Sequence, residues 1–267
     1  MTATVLLVIF AVLLGLAVGS FLNVVVWRVP RGEKISSPPS ACPKCEHAIR
    51  SYDNIPVFGW LLLRGKCRDC GEPISPRYPL VEATTAIVFG LIAAAVGAET
   101  ALVWTVPAFL YLAAISIALT LIDLDTKTLP NKIVLPSILV GVALLALASV
   151  GTGNWAALLG ALAGGAALFL FYFIVALISP RGMGMGDVKL AAVLGLYLGW
   201  LGWGVLAVGA FAAFLLGGVF AIALLLIGRA RRRTAIPFGP WMIAGAWLGI
   251  AFGSQIWNGY MVATGLS

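Results

Sequence analysis

The sequence predicts an all-α polytopic membrane protein of about eight transmembrane helices, with a zinc-stapled cytoplasmic loop. Three observations lead there. Of its 267 residues, 61% are hydrophobic and only 10% are charged. Its apolar runs are longer than soluble core helices need. Its basic residues fall in alternate connections between those runs, as a chain threaded repeatedly through a bilayer requires.

The first run, Thr4 to Trp27, lacks a basic leading region and a small-residue cleavage site and is followed directly by Arg28. It therefore reads as a retained first helix rather than a removed signal peptide. Further apolar runs cover residues 80–96, 102–122, 133–150, 155–178, 188–227 and 241–257. The run at 188–227 would extend about 60 Å as one helix against a hydrocarbon core of about 30 Å, so it must fold into two spans. The turn is expected near Gly202 to Gly209, which brings the total to eight crossings.

All 17 Lys and Arg lie at Arg28 to Arg77, at Lys127 and Lys132, at Arg181 and Lys189, or in the Arg229–Arg233 cluster. The positive-inside rule makes these four connections cytoplasmic. Both termini are then expected outside, with Glu99 the only charge of the outer loops. The net charge of +7 is explained by this topology and by anionic lipid headgroups, so membrane lipid is the expected partner and no nucleic acid is needed.

Acids are costly near a bilayer, by roughly 2.5 to 3.5 kcal/mol at mid-helix, and they usually face a partner or a wet cavity. Asp187 lies in Arg181-Gly-Met-Gly-Met-Gly-Asp187-Val-Lys189, a glycine-rich break between apolar runs, and Asp123 ends an earlier run in Leu121-Ile-Asp-Leu-Asp-Thr-Lys-Thr-Leu-Pro-Asn131. The charge pattern puts both on the inner face, where paired carboxylates suit an aspartyl hydrolase. The plainer reading also stands at this point: Asp187 caps its helix, and Asp123 or Asp125 sits in a polar turn. Gly182, Gly184 and Gly186 would let the backbone approach an extended substrate and adopt positive φ, or act only as a hinge. Lys189 would steer local charge or snorkel to lipid phosphates.

All four cysteines lie in the first inner connection, as Cys42-Pro-Lys-Cys45 and Cys67-Arg-Asp-Cys70, with 21 residues between the pairs. Two such pairs suit tetrahedral zinc, and a cytosolic setting disfavours the alternative of disulfides. The loop is too poor in apolar residues for its own core, so a metal staple is what would let it fold. Four thiolates leave no open position for water, which makes the metal structural. His47 is expected to face solvent.

Taken in order, these features resemble the bifunctional type IV prepilin peptidases. The resemblance rests on Gly19-Ser-Phe-Leu-Asn-Val-Val-Val-Trp-Arg-Val-Pro30, the two cysteine pairs, Asp53-Asn-Ile-Pro56, Arg77-Tyr-Pro-Leu-Val-Glu82, Asp123 before Leu129-Pro-Asn131, and Gly184-Met-Gly-Asp187-Val-Lys189. It implies a membrane-embedded aspartyl peptidase that removes the leader of prepilins and pseudopilins, proteins of type IV pili and type II secretion, at the cytoplasmic face of the bacterial inner membrane. It further implies N-methylation of the new N-terminus with S-adenosylmethionine as donor. Asp123 and Asp187 match the family's catalytic pair, and Cys42, Cys45, Cys67 and Cys70, the expected metal ligands, match its two cysteine pairs; Gly184, Gly186 and Lys189, in the box around Asp187, are the expected substrate-positioning residues. The organisation expected is a first transmembrane helix at 1–27, a cysteine-rich zinc loop and methyltransferase region at 28–79, and a transmembrane peptidase core at 80–267. An ion-coupled transporter or channel using the aspartates as a relay is the alternative, but such sites sit near the midplane. A zinc scaffold is a third reading, and it leaves the glycine-rich aspartate box without a role.

Overall fold

In hydrocarbon a backbone must satisfy its own hydrogen bonds, and this chain does so with helices. The computed structural model describes residues 2–98, 101–179, 182–228 and 237–265. Its helices are α1 (Thr2–Arg28), the short α2 (Phe58–Leu62), α3 (Arg77–Val96), α4 (Val106–Thr126), α5 (Asn131–Thr152), α6 (Trp155–Ile178), α7 (Met185–Leu201), α8 (Trp203–Leu226) and α9 (Gly239–Thr264). Among the described residues no strand forms, and pairing is limited to isolated bridges at Ala41–Ala48 and Lys66–Pro73. Of the charges that set the expected orientation, Glu99, Arg181 and the Arg229–Arg233 cluster lie outside the described residues.

Six segments are long and apolar enough to cross a membrane: α1, α3, Ala101–Thr126, α5, α6 and α8. The chain is thus a multi-pass membrane protein. The other two long helices fall short of that measure for different reasons. With 17 residues, α7 extends only about 25 Å. Its sequence neighbour α8 begins after Gly202, whose φ of +123° turns the chain, within the stretch where the long 188–227 run was expected to fold back. The last helix, α9, is long but carries Ser254, Gln255 and Asn258.

Two compact units are present, Met1–Ala118 and Leu119–Ser267, with the boundary inside α4. In the first, α1 and α3 meet through glycine. A Cβ at Gly15 would lie 2.6 Å from the Ala86 Cα, and one at Gly19 2.6 Å from the Glu82 Cα, so these backbones touch with no side chain between them.

In the second unit α7 is the central element, packed by α5, α6, α8 and α9. Every residue from Leu190 to Trp200 is buried. This explains its length, because a helix enclosed by protein need not match the hydrocarbon thickness. The α6–α7 contact joins Gly160 and Gly164 to Gly195 and Gly199: a Cβ at Gly164 would lie 2.8 Å from the Gly199 Cα and 2.7 Å from the Gly195 carbonyl oxygen. The α8–α9 contact works alike, with a Cβ at Gly249 falling 2.8 Å from the Gly209 Cα. In lipid, where apolar burial drives little association, this close backbone approach is what holds helices together.

Candidate active site and cysteine cluster

Each cysteine pair folds as the same turn. The Glu46 amide donates to the Cys42 carbonyl at 2.9 Å and the Cys42 amide to the His47 carbonyl at 3.0 Å; Gly71 to Cys67, and Cys67 to Glu72, repeat this at 3.0 and 2.8 Å. The residue after the second cysteine has positive φ in both turns, Glu46 at 59° and Gly71 at 72°. Gly71 suits this conformation without strain, whereas Glu46 adopts it against its Cβ.

The turns bring all four sulfurs within 4.8 Å of one another. Cys42 Sγ lies 3.8 Å from Cys70 Sγ, and Cys45 Sγ 4.0 Å from Cys67 Sγ. Tetrahedral Zn–S bonds of about 2.3 Å place sulfurs about 3.8 Å apart, while a disulfide needs about 2.05 Å. The donor set therefore fits a metal ion. Amides of Cys45 and Lys44 lower the Cys42 thiol to about 6, while burial and the neighbouring thiols push Cys45 the other way, as adjacent sulfurs that share protons do. The exposed His47 contributes its backbone and is not among the clustered ligands. Lys44–Glu72 at 2.5 Å and Arg50–Asp69 at 3.0 Å tie one turn to the other.

This module is fastened to the helices of its own unit by contacts that no motif announces. Arg68, inside the second cysteine pair, donates to Asp53 from Nε at 2.8 Å and from Nη2 at 2.5 Å. Four residues on, the Val57 amide donates to Glu82 Oε2 of α3 at 2.7 Å, holding Val57 at φ 64°. Glu82 is buried, so an acid in a spanning helix finds its partner in the loop backbone, as its cost demands.

The carboxylates are placed in the second unit. Asp123, in the last turns of α4, is only 4% exposed, and its Oδ2 accepts the Gly239 amide at 3.1 Å. Gly239 opens α9, so the carboxylate faces the positive end of that helix. Asp187, half-buried in the first turn of α7, accepts the Gly184 amide on Oδ2 at 3.1 Å. Each acid thus holds one otherwise orphaned N–H at the start of a different helix. Leu129 bridges the two starts: a Cβ on Gly186 would lie 3.0 Å from its Cβ, and one on Gly239 3.4 Å from its Cδ2. The two acids are near enough for the charge of Asp187 to act on Asp123. Asp125, by contrast, is exposed.

One expectation about the surroundings is corrected. Gly184 is extended, with φ −83° and ψ 153°, and neither it nor Gly182 nor Gly186 has positive φ. Their lack of a side chain serves access instead, since Leu129 fills the space beside Gly186 and the Gly184 amide lies open to the Asp187 carboxylate. The Lys189 Nζ donates to Asn131 Oδ1 at 3.0 Å and so ties the start of α7 to the start of α5. Asp187 does cap its helix, as the plainer reading held, and this leaves its second oxygen available for chemistry.

Sequence reasoning missed the Gly239 amide, the Asn131 partner and Glu82. One signal was present for the first: Gly239-Pro240 at the head of an apolar run marks a helix start.

Known proteins match almost the whole chain. The profile described as Bacterial Peptidase A24 N-terminal domain covers residues 13–96, and that of the type IV leader peptidase family covers residues 110–222. A protein of Aeromonas hydrophila named prepilin leader peptidase/N-methyltransferase is 37% identical over 93% of this chain and 92% of its own length. Proteins of the same name from Pseudomonas aeruginosa and Neisseria gonorrhoeae are 36% and 38% identical, covering 97% and 93% of this chain and 94% and 91% of theirs. No solved structure matches.

Proposed function

Because the chain belongs to the type IV leader peptidase family, we propose that it cleaves the leader from prepilins and pseudopilins through Asp123 and Asp187 and then N-methylates the new N-terminus. It is a multi-pass enzyme of the bacterial inner membrane on this reading, with the cysteine module in the cytosol. The observation that carries the catalytic assignment is the placement of the two acids, each held by one backbone amide at a helix start and near enough for the charge of Asp187 to act on Asp123.

Two carboxylates sharing a site do not both ionise cheaply, so the pair keeps one proton and titrates as a unit. The ionised member takes a proton from a water held between them. The protonated member gives its proton to the scissile carbonyl oxygen as that water attacks; when the C–N bond breaks, the base passes its proton to the leaving amine and a hydroxyl of the tetrahedral intermediate returns a proton to the other aspartate, which restores the pair. No covalent acyl-enzyme forms. The amides of Gly184 and Gly239 fix one oxygen of each carboxylate and aim the other, while burial of Asp123 limits competing water. Gly184, Gly186 and Lys189 position the substrate indirectly, by keeping the start of α7 open and tied to α5.

Cys42, Cys45, Cys67 and Cys70 would hold zinc as a structural ion, closed to substrate, and S-adenosylmethionine would supply the methyl group. The family gives no support to the transporter alternative, which the acids alone had left open.

Incubating the purified protein with a prepilin and S-adenosylmethionine tests the whole reading by mass spectrometry. A released leader and a methylated mature N-terminus are expected. An intact substrate under conditions where the enzyme stays folded and metal-loaded would overturn it.

A further inference from the structure

Beside the carboxylates lies a groove that no step above uses. Its volume is about 280 Å³ and it runs between the end of α6, the approach to α7, α8 and the start of α9, close to the lower end of the ~300–1,000 Å³ range of ligand sites. Its lining is mostly apolar, with Ser179 as a polar side chain among the described residues. Phe214 and Gly217 of α8 face Phe238 and Trp241, and Val175 of α6 and Ala221 of α8 also line it. The rings brace one another: Phe214 and Phe238 centroids are 5.4 Å apart, Tyr172 stacks on Phe214 at 5.4 Å, and Phe220 supports Trp241 at 4.5 Å. Such walls are rigid before any ligand arrives, which reduces the ordering cost of binding.

The groove's end is what identifies its occupant. Met183 lines it and immediately precedes Gly184, whose amide holds Asp187; Phe238 lines it and immediately precedes Gly239, whose amide holds Asp123. Two walls of the groove therefore run directly into the two turns that carry the acids. Anything lying in it and reaching the reacting water must be continuous with the scissile peptide.

We infer that this groove seats an apolar stretch of the substrate adjoining the scissile bond, with Phe214, Gly217, Ala221, Phe238 and Trp241 as its specificity-determining residues. The inference rests on the catalytic reading of Asp123 and Asp187. Gly217 makes room for the wall itself: an added Cβ would lie 3.0 Å from a Phe238 ring carbon and 3.4 Å from the Trp241 Cβ, so the missing side chain on α8 is what lets these rings take their places. The aromatic side chains supply contact area for branched or aromatic side chains of the substrate.

The test uses the full-length enzyme and purified prepilin. Benzoylphenylalanine placed at Ala221 is expected to photo-crosslink to the apolar residues next to the cut, in competition with unlabelled prepilin, while the same probe at the exposed Val219 is not. Alongside, Ala221→Trp is expected to lower kcat/KM for prepilin at least tenfold more than for a peptide that spans the cut but stops short of the apolar stretch. Crosslinks only to lipid, equal crosslinking at both positions, or an equal effect on both substrates would each overturn the inference. Failure of the catalytic reading is seen separately, as undiminished cleavage by Asp187→Asn.

Discussion

Gly164 offers a sharp test of how packing far from the acids controls them. An alanine there would place its Cβ 2.7 Å from the Gly195 carbonyl oxygen and 2.8 Å from the Gly199 Cα. Ordinary carbon contacts need about 3.5–4.0 Å, so α6 and α7 must separate by roughly 1 Å. Because α7 is enclosed by four helices, it has no free direction in which to yield. Asp187 lies eight residues from Gly195, about 12 Å along the same rigid helix. A 1 Å misplacement of a reacting group costs about 100-fold in rate, and overpacking costs about 1–3 kcal/mol in stability. Intrinsic helix preference favours Ala over Gly by about 1 kcal/mol, so the sign of the change separates the two effects. Thermal unfolding in detergent and kcat/KM for leader cleavage should both fall in Gly164→Ala. They should not fall in Gly259→Ala, where nothing lies within 4 Å of an added Cβ. Cleavage within threefold of the parent, together with a raised unfolding temperature, would refute the argument.

Further outcomes follow from the cysteine module and the start of α7. One zinc per chain is expected by metal analysis, and Cys67→Ser should lose it and harm methylation more than proteolysis; equal loss of both activities in a folded variant would contradict the separation. The Arg68 guanidinium holds the Asp53 carboxyl below its ordinary value of 3.8. A depressed pKa contributes stability that is present in full above that value and lost as pH falls through the folded one. The protease resistance of the loop in the parent, relative to Asp53→Asn, should thus be constant above about pH 5 and shrink only below about pH 4. Lys189→Met should lower kcat by about tenfold through a displaced α7 start, and Asn131→Ala should reproduce that loss without adding to it, because the two side chains form one link.

The sequence reading went furthest where one physical rule acts alone. Hydrocarbon thickness demanded a turn within 188–227, and Gly202 provides it. Metal geometry demanded four sulfurs together, and the two turns assemble them. The family resemblance pointed to Asp123 where the residues alone left Asp125 open, and the structure buries the first and exposes the second. What stayed hidden depended on tertiary partners. Glu82 looked like one acid in a helix start, yet its partner is the amide of Val57, 25 residues earlier. Gly239 meets Asp123 across 116 residues, and no local pattern encodes that. The glycines before Asp187 were read for backbone freedom, whereas their surroundings require only the absence of a side chain. Membrane hydropathy, finally, could not tell the enclosed α7 from its lipid-facing neighbours, because both are apolar on every side.

The account turns on Asp123 and Asp187 acting as one catalytic unit. Its most direct measurement is the single-turnover rate of leader cleavage by purified Asp123→Asn, Asp187→Asn and the double variant, each shown to keep its metal and its unfolding temperature. Either single change should abolish measurable cleavage, and the double change should cost no more than the worse single one. Substantial cleavage by either single variant, or losses that multiply in the double, would contradict it.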